Sequence, residues 1–455
     1  MNILLVYPSQ LDANGQPMRY RQAYMPPLAL ALVAALTPER HRVRVINDMV
    51  EAIDYAGDYD LVGITALTSQ APRAYQIADR FRAQGIRVVI GGIHASLLPD
   101  EAAAHADAVV IGEAEELWEG LLADAESGRL QPRYTRTSYP SLDRLLIPRW
   151  DGFDLSRYRN SIGPSRMPRL QIYTTRGCLY ACKYCTVSKF FGKTYRHKPI
   201  ANVLREIEAT RADAYFFVDD NIVCDFDYSA ELFKTLRGTG IRWLSQASTQ
   251  LLDKPELIDL AAAAGCKSLF LGIESISPAA LRSVRKGFNR PDAYPELFAR
   301  LERAGIRPLV SMMVGLDQDT PEDIQHTLDY LLKHRVQNVY LSIYSPLPGT
   351  DLYAEMEQAG RIIERDWSKY DLAHVVCQPQ HFTPAELERT YWQLFTRLYA
   401  PGAIGARLLT DLVGLRSGPA KLLRNAAIQM HMYQQVRQQV HPLSMGIGRL
   451  PGPVE

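Results

Sequence analysis

The sequence predicts an α/β protein: a helix-covered parallel sheet, then a partial (β/α)6 barrel of the TIM type, then a helical C-terminal region. Three observations carry this. Short apolar runs alternate with amphipathic stretches over the first part of the chain; a second such series begins at LQIYTT; and strand-like runs stop near Phe382. The expected boundaries are 1–127 for the first unit, 128–168 for a linker, 169–380 for the barrel and 381–455 for the helical region.

In order, NILLVY reads as a strand, PPLALALVAALTPE as a helix, and RVRVIND and LVGITAL as strands. A helix over 71–84, strand RVVIGG, a helix over 99–105, strand AVVIG and a helix over 115–126 follow. Such sheets bind ligands at the carboxyl ends of their strands, here PSQ, TSQ, GGIHAS and GEAE, all small or polar. A dinucleotide site would want GxGxxG after the first strand; PSQLDANGQ stands there instead. Residues 128–168, rich in Arg, Pro, Tyr and Ser without periodicity, read as the linker. The barrel strands after LQIYTT are AYFFVDD, IRWLSQAS, KSLFLGIES, RPLVSMMVGL and NVYLSIYSPL, with helices such as PIANVLREIEATR between them. In barrels the chemistry sits at the carboxyl end.

With 455 residues, 22% charged and a net charge of +1, the chain reads as multidomain and globular, with no global attraction to nucleic acid. MNILLVYPS has no basic region before its apolar run, and no apolar run reaches membrane-spanning length. The expected address is the cytoplasm, where clustered cysteines mean metal or redox chemistry.

TTRGCLYACKYC, just after the first barrel strand, gathers Cys178, Cys182 and Cys185 and no fourth cysteine. Structural zinc and ordinary iron–sulfur clusters take four protein ligands. Three thiolates on a [4Fe–4S] cluster leave one iron open to a small molecule; the rival is zinc borrowing a distant ligand such as His197. Cys224, Cys266 and Cys377 read as buried small hydrophobes.

CxxxCxxC after a strand, with Tyr184 before its last cysteine, resembles the radical S-adenosylmethionine (SAM) superfamily. LGIES, FVDDN and SQAS match family positions, so the resemblance implies SAM contacts from Tyr184, Asp219, Asp220, Ser245, Gln246 and Glu274. RKG at 285–287, GLDQDTPED and SPLPGTDLY also look like this superfamily. MNILLVYPS, MPPLALALVAAL, ITALTSQ, VVIGGIHASLLPDEA and AVVIGEAEELW together resemble the flavodoxin- or Rossmann-like cobalamin-binding domain that precedes many radical SAM barrels. The resemblance covers about residues 1–350 and implies cobalamin contacts from Ser9, Thr65, Thr68, Ser69, Gly91, Gly92, His94, Gly112 and Glu113. Corrinoid domains that ligate cobalt through histidine carry DxHxxG after the first strand. Residues 9–21 hold no histidine, so cobalamin without a lower axial histidine is expected, with His94 an ordinary contact.

The resemblance implies a cobalamin-dependent enzyme that methylates an unactivated carbon, supplied with electrons by a donor such as ferredoxin or flavodoxin. A radical SAM cyclase or carbon–carbon coupling enzyme of tetrapyrrole or lipid metabolism is the alternative. SKFFGKTYRHK is basic and aromatic, as a tRNA-modifying relative would need, but a second cysteine triad is missing and no nucleic acid is expected. A non-catalytic corrinoid sensor would not need the triad. HFTPAELERTYWQLFTRLYAPGAIGARLL resembles C-terminal regions of relatives acting on hydrophobic molecules, so a hydrophobic or lipid-like substrate is expected. Between Asp411 and Glu455 there is no acidic residue, while Arg416, Lys421, Arg424, Arg437 and Arg449 stand among leucines. That stretch reads either as helices against an anionic membrane face or as a cap with a basic outer face.

Overall fold

Strands of consecutive apolar residues form where both faces of a sheet are covered, and the first unit follows that rule. The computed structural model describes residues 1–158, 170–413, 419–441 and 446–450. Its strands begin with β1 Asn2–Tyr7, β2 Tyr20–Ala23, β3 Arg42–Asn47, β4 Leu61–Thr65, β5 Arg87–Gly91, β6 Ala108–Ile111 and β7 Arg133–Thr135. Helices α1 Leu28–Leu36, α2 Ala71–Arg82, α3 Gly92–Leu97, α4 Pro99–Ala104 and α5 Trp118–Glu126 lie between them. The parallel sheet runs β3-β1-β4-β5-β6-β7. Without the outlying β2, this is the flavodoxin-like order, whose switch point lies between β1 and β4.

The second unit holds β8 Leu170–Ile172, β9 Thr175–Arg176, β10 Arg196–His197, β11 Ala214–Phe217, β12 Arg242–Ala247, β13 Cys266–Glu274, β14 Arg307–Val314 and β15 Asn338–Ile343. Its helices are α6 Val187–Phe190, α7 Ile200–Thr210, α8 Phe226–Leu236, α9 Glu256–Ala263, α10 Pro278–Ser283, α11 Tyr294–Arg303, α12 Pro321–Lys333 and α13 Asp351–Gln358. Six parallel strands in the order β15-β14-β13-β12-β11-β8 make the expected open barrel. Helix starts are set locally: Asp225 caps α8, and Thr320 with Asp323 forms a capping box on α12. Then come α14 Pro384–Leu398, α15 Pro401–Val413, α16 Pro419–Arg437 and a final strand β16 Gly446–Arg449.

Three expectations change. β7, inside the expected 128–168 linker, adds an edge to the first sheet, so that unit extends past residue 127; the rest of that linker at 159–168 lies outside the described residues. GGIHAS, expected as a strand end, gives only Gly91 to β5, and its other residues lie in the short helix α3. The C-terminal region is not wholly helical, because β16 pairs antiparallel with β2. Arg416 lies outside the described residues, and no helix among them is long and apolar enough to cross a membrane.

Candidate active site

The cysteine loop leaves the barrel at β9, and its course is pinned by buried carboxylates. Asp219, fully buried at the end of β11, accepts hydrogen bonds from the backbone N–H and hydroxyl of both Thr174 and Thr175. Asp220 accepts from Gly177 N at 3.1 Å, and burial raises its pKa to about 6. Gly177 has φ +93°, and a Cβ there would run into the Thr194 carbonyl, so only glycine passes. Asp219, expected at the SAM site, is therefore spent on the loop itself. Ser245 is likewise internal, donating to the Phe217 carbonyl at 2.8 Å from the helix-facing side of β12.

Cys178, Cys182 and Cys185 are half-buried and free. The N–H of Tyr180 points at the Cys178 sulfur and that of Val187 at the Cys185 sulfur, a pattern that suits iron–sulfur thiolates. Burial raises the Cys182 thiol and pushes Cys185 up to about 12, so ligation must displace protons. His197, the suggested zinc ligand, stacks on Tyr228 and faces Asp225 at 3.4 Å. Cys224, read as a buried small hydrophobe, is half-buried instead, and the neighbouring Cys178 thiol lowers its pKa to about 7.

Glu274 ends β13 at a register shift with φ +64°, a strained position for a non-glycine residue. Its Oε1 accepts from Lys286 Nζ at 2.6 Å and Tyr184 OH at 3.2 Å, and its Oε2 from Ser311 Oγ at 3.3 Å. Burial opposes charge on Lys286, but Glu274 and the thiols of Cys182 and Cys185 outweigh it and hold its pKa above the usual lysine value. The structure thus brings Tyr184 and Glu274 together beside the cysteines and adds Lys286 and Ser311, which sequence reasoning missed. The RKG motif contained the signal for Lys286, but the lysine reaches Glu274 only after α10 turns back. Gln246 lies on the opposite face of β12 from Ser245, toward the barrel interior.

On the first unit a cavity of about 1260 Å³ opens at the sheet's switch point. Gln10, Leu67, Thr68, Ser69 and Ile93 line one side; Thr186, next to Cys185, and Leu347 line another. Residues 368–374 and the α14 side chains Arg389 and Trp392 form the far wall. Gly91 and Gly92 sit at the end of β5; Gly92 has φ +91°, and a Cβ on it would meet Thr65 Oγ1 at 2.5 Å. Small groups, amide-bonding hydroxyls and an exposed Leu67 around a roomy cleft fit a large flat corrin. No histidine of the first unit lines the cavity.

Four residues expected to touch cobalamin have other neighbours in the structure. Ser9 is buried and donates to Asp48 Oδ2 at 2.8 Å. His94 is buried, with Nε2 3.0 Å from Tyr75 OH and 3.3 Å from Glu101, which in turn accepts from Trp367 Nε1. Glu113 gives both oxygens to Arg136, Arg176 and Arg196, and Gly112 lies under the Arg136 stem. The basic run SKFFGKTYRHK is partly inward: Arg196 joins Glu113 and fully buried Lys198 pairs with Glu206 at 2.5 Å, while Lys189, paired with Asp351, and Lys193 are exposed.

Comparison with known proteins agrees with this arrangement. Residues 172–331 match the family model of the Radical SAM superfamily, and residues 18–122 that of the B12 binding domain. The chain is 30% identical over 444 residues to bacteriochlorophyllide d C-8(2)-methyltransferase of Chlorobaculum tepidum, with 94% of each chain covered. It is 32% identical over 392 residues to the C-12(1)-methyltransferase of the same organism, covering 84% of each. In fold it is similar to the radical S-adenosylmethionine methyltransferase TsrM from Kitasatospora setae, solved with cobalamin and a [4Fe-4S] cluster bound. That likeness has a TM-score of 0.64 at 20% identity and covers 96% of this chain and 99% of that one.

Proposed function

The chain belongs to the cobalamin-dependent radical SAM methyltransferases, and on that premise we propose that it methylates an unactivated carbon of a large hydrophobic ring substrate of the tetrapyrrole class. When bound, the [4Fe–4S] cluster, SAM and cobalamin supply one-electron bond cleavage and the methyl group. Cys178, Cys182 and Cys185 would hold the cluster and leave one iron to SAM. Glu274 would take the ammonium of SAM and Lys286 its carboxylate, while Tyr184 and Ser311 keep the Glu274 carboxylate in place. Thr68 and Ser69, which line the cavity, would support the corrin together with the neighbouring Gly91 and Gly92.

The observation that carries the reading is the shared cavity: Thr68 and Ser69 stand on one wall and Thr186, one residue past Cys185, on another. Residues 368–374 and Trp392 line its far wall. The substrate class rests on the two bacteriochlorophyllide methyltransferases, which match along nearly the whole chain. The test is anaerobic turnover with trideuteromethyl-SAM over a panel of chlorins and porphyrins. Label in a carbon-methylated product is expected; an unlabelled, ring-closed product would move the assignment to a cyclase.

The helical hairpin of α15 and α16 exposes Leu409, Leu412, Leu423 and Met430 at 51–71%, in the acid-poor basic stretch. This supports peripheral contact with an anionic membrane face. Flotation on vesicles rich in anionic lipid checks it: Leu409→Ser with Leu423→Ser should leave the protein unbound, and equal flotation removes the idea.

A further inference from the structure

Three arginines from three segments meet one carboxylate at the seam between the two sheets. Glu113 follows β6, and its side chain is 2% exposed. Oε1 accepts from Arg176 Nη1 at 2.5 Å; Oε2 accepts from Arg196 Nη2 at 2.8 Å and from Arg136 Nη1 at 3.1 Å. The second nitrogen of Arg176 turns to Glu115 Oε1 at 2.6 Å. Arg136 and Arg196 also donate to the carbonyls of Phe190 and Pro140, and both guanidinium groups lie over the Tyr139 ring.

The placement of these groups gives the network its meaning. Arg176 and Arg196 face each other across the β9–β10 ladder, where two like charges repel unless a carboxylate sits between them. Arg176 stands two residues before Cys178. Glu113 stands at the carboxyl end of the sheet whose other strand ends line the cavity. A buried charged network of this kind, in which Arg196 Nε alone lacks an acceptor, holds geometry far better than an exposed ion pair.

We propose that Glu113 is a positioning residue, the ionic latch that fixes the spacing and angle between the cobalamin-binding sheet and the loop carrying the cluster cysteines. A methyl group must cross between the two halves, and a displacement of about 1 Å can cost on the order of a hundredfold in rate. The latch therefore acts on alignment, through Arg176 and Arg196, and touches neither cofactor.

The test is hydrogen–deuterium exchange on the full chain, reconstituted with iron, sulfide and cobalamin, comparing wild type with Glu113→Gln. This change keeps the shape and removes the charge. Exchange should rise about tenfold in segments 133–140 and 174–198 and stay unchanged in 61–65 and 338–343. Iron and cobalt contents should match wild type, and in turnover kcat should fall while KM for SAM holds. Exchange is read without turnover, so the substrate reading can fail independently. Should Glu113→Gln not fold, Arg136→Ala removes one arm and should give a smaller rise in the same two segments. Unchanged exchange at 174–198, a uniform rise along the chain in Arg136→Ala, or loss of cobalt with 174–198 still protected would each overturn the proposal; the last would make Glu113 a corrin contact.

Discussion

The two parallel sheets bury their faces differently, and the difference tells where each can hold a ligand. In β1 the residues Ile3, Leu4, Leu5 and Val6 are all within 1% of full burial, so both faces are covered and only the strand ends are open. In the barrel, burial alternates. Trp243, Ser245 and Ala247 are buried toward the helices, while Arg242, Leu244 and Gln246 are half-buried on the other face. β13 and β14 repeat this, with Phe270, Gly272, Leu309 and Ser311 on the half-open face. The first unit thus binds beyond its strands, whereas the barrel binds within its concave face. The cavity is lined by the first unit's strand ends and, from the barrel, by Thr186 and Leu347.

The largest expected effect breaks one side only. Cys182→Ala should lose its iron and show no detectable methyl transfer, yet keep cobalt at the wild-type level; loss of both metals would mean the two sites are not independent. Next comes the contrast between neighbours on β13. Leu269 is 1% exposed and faces the helices, so Leu269→Ala should cost about 2–5 kcal/mol in denaturant unfolding. Phe270, half-buried on the concave face, should cost less than half as much when changed to alanine, and equal costs would contradict an open interior. Glu274→Gln removes a charged acceptor worth about 1.5–3 kcal/mol, weakening SAM about 10- to 150-fold by titration calorimetry without changing cobalt content. Gly92→Ala forces a side chain into positive φ against Thr65. It should cost about 1–3 kcal/mol by thermal unfolding and lower cobalt but not iron.

The alternation of strands and helices, the cysteine triad and the six barrel strands were legible because each is written within a few consecutive residues. The site's polar partners were not. Glu113 meets arginines 23, 63 and 83 residues away, so GEAE reads equally well as a ligand-binding strand end or as a latch. Asp219 in FVDDN looks like a cofactor contact until Thr174 and Thr175, over 40 residues back, use its oxygens. His94 gave no local hint that Tyr75 and Glu101 hold its ring. Strands β7 and β16 escaped notice because RYT and GIGR are short, polar or glycine-rich, and GIGR pairs with a strand at the other end of the chain.

The central claim is that one chain carries both a three-cysteine iron–sulfur cluster in its barrel and a corrin on its first sheet. Metal analysis of anaerobically reconstituted protein tests this most directly. The account predicts about four irons and one cobalt per chain, with the iron alone lost when Cys178, Cys182 and Cys185 are changed together to alanine. A chain that takes zinc in place of iron, or that retains no cobalt after desalting, would contradict it.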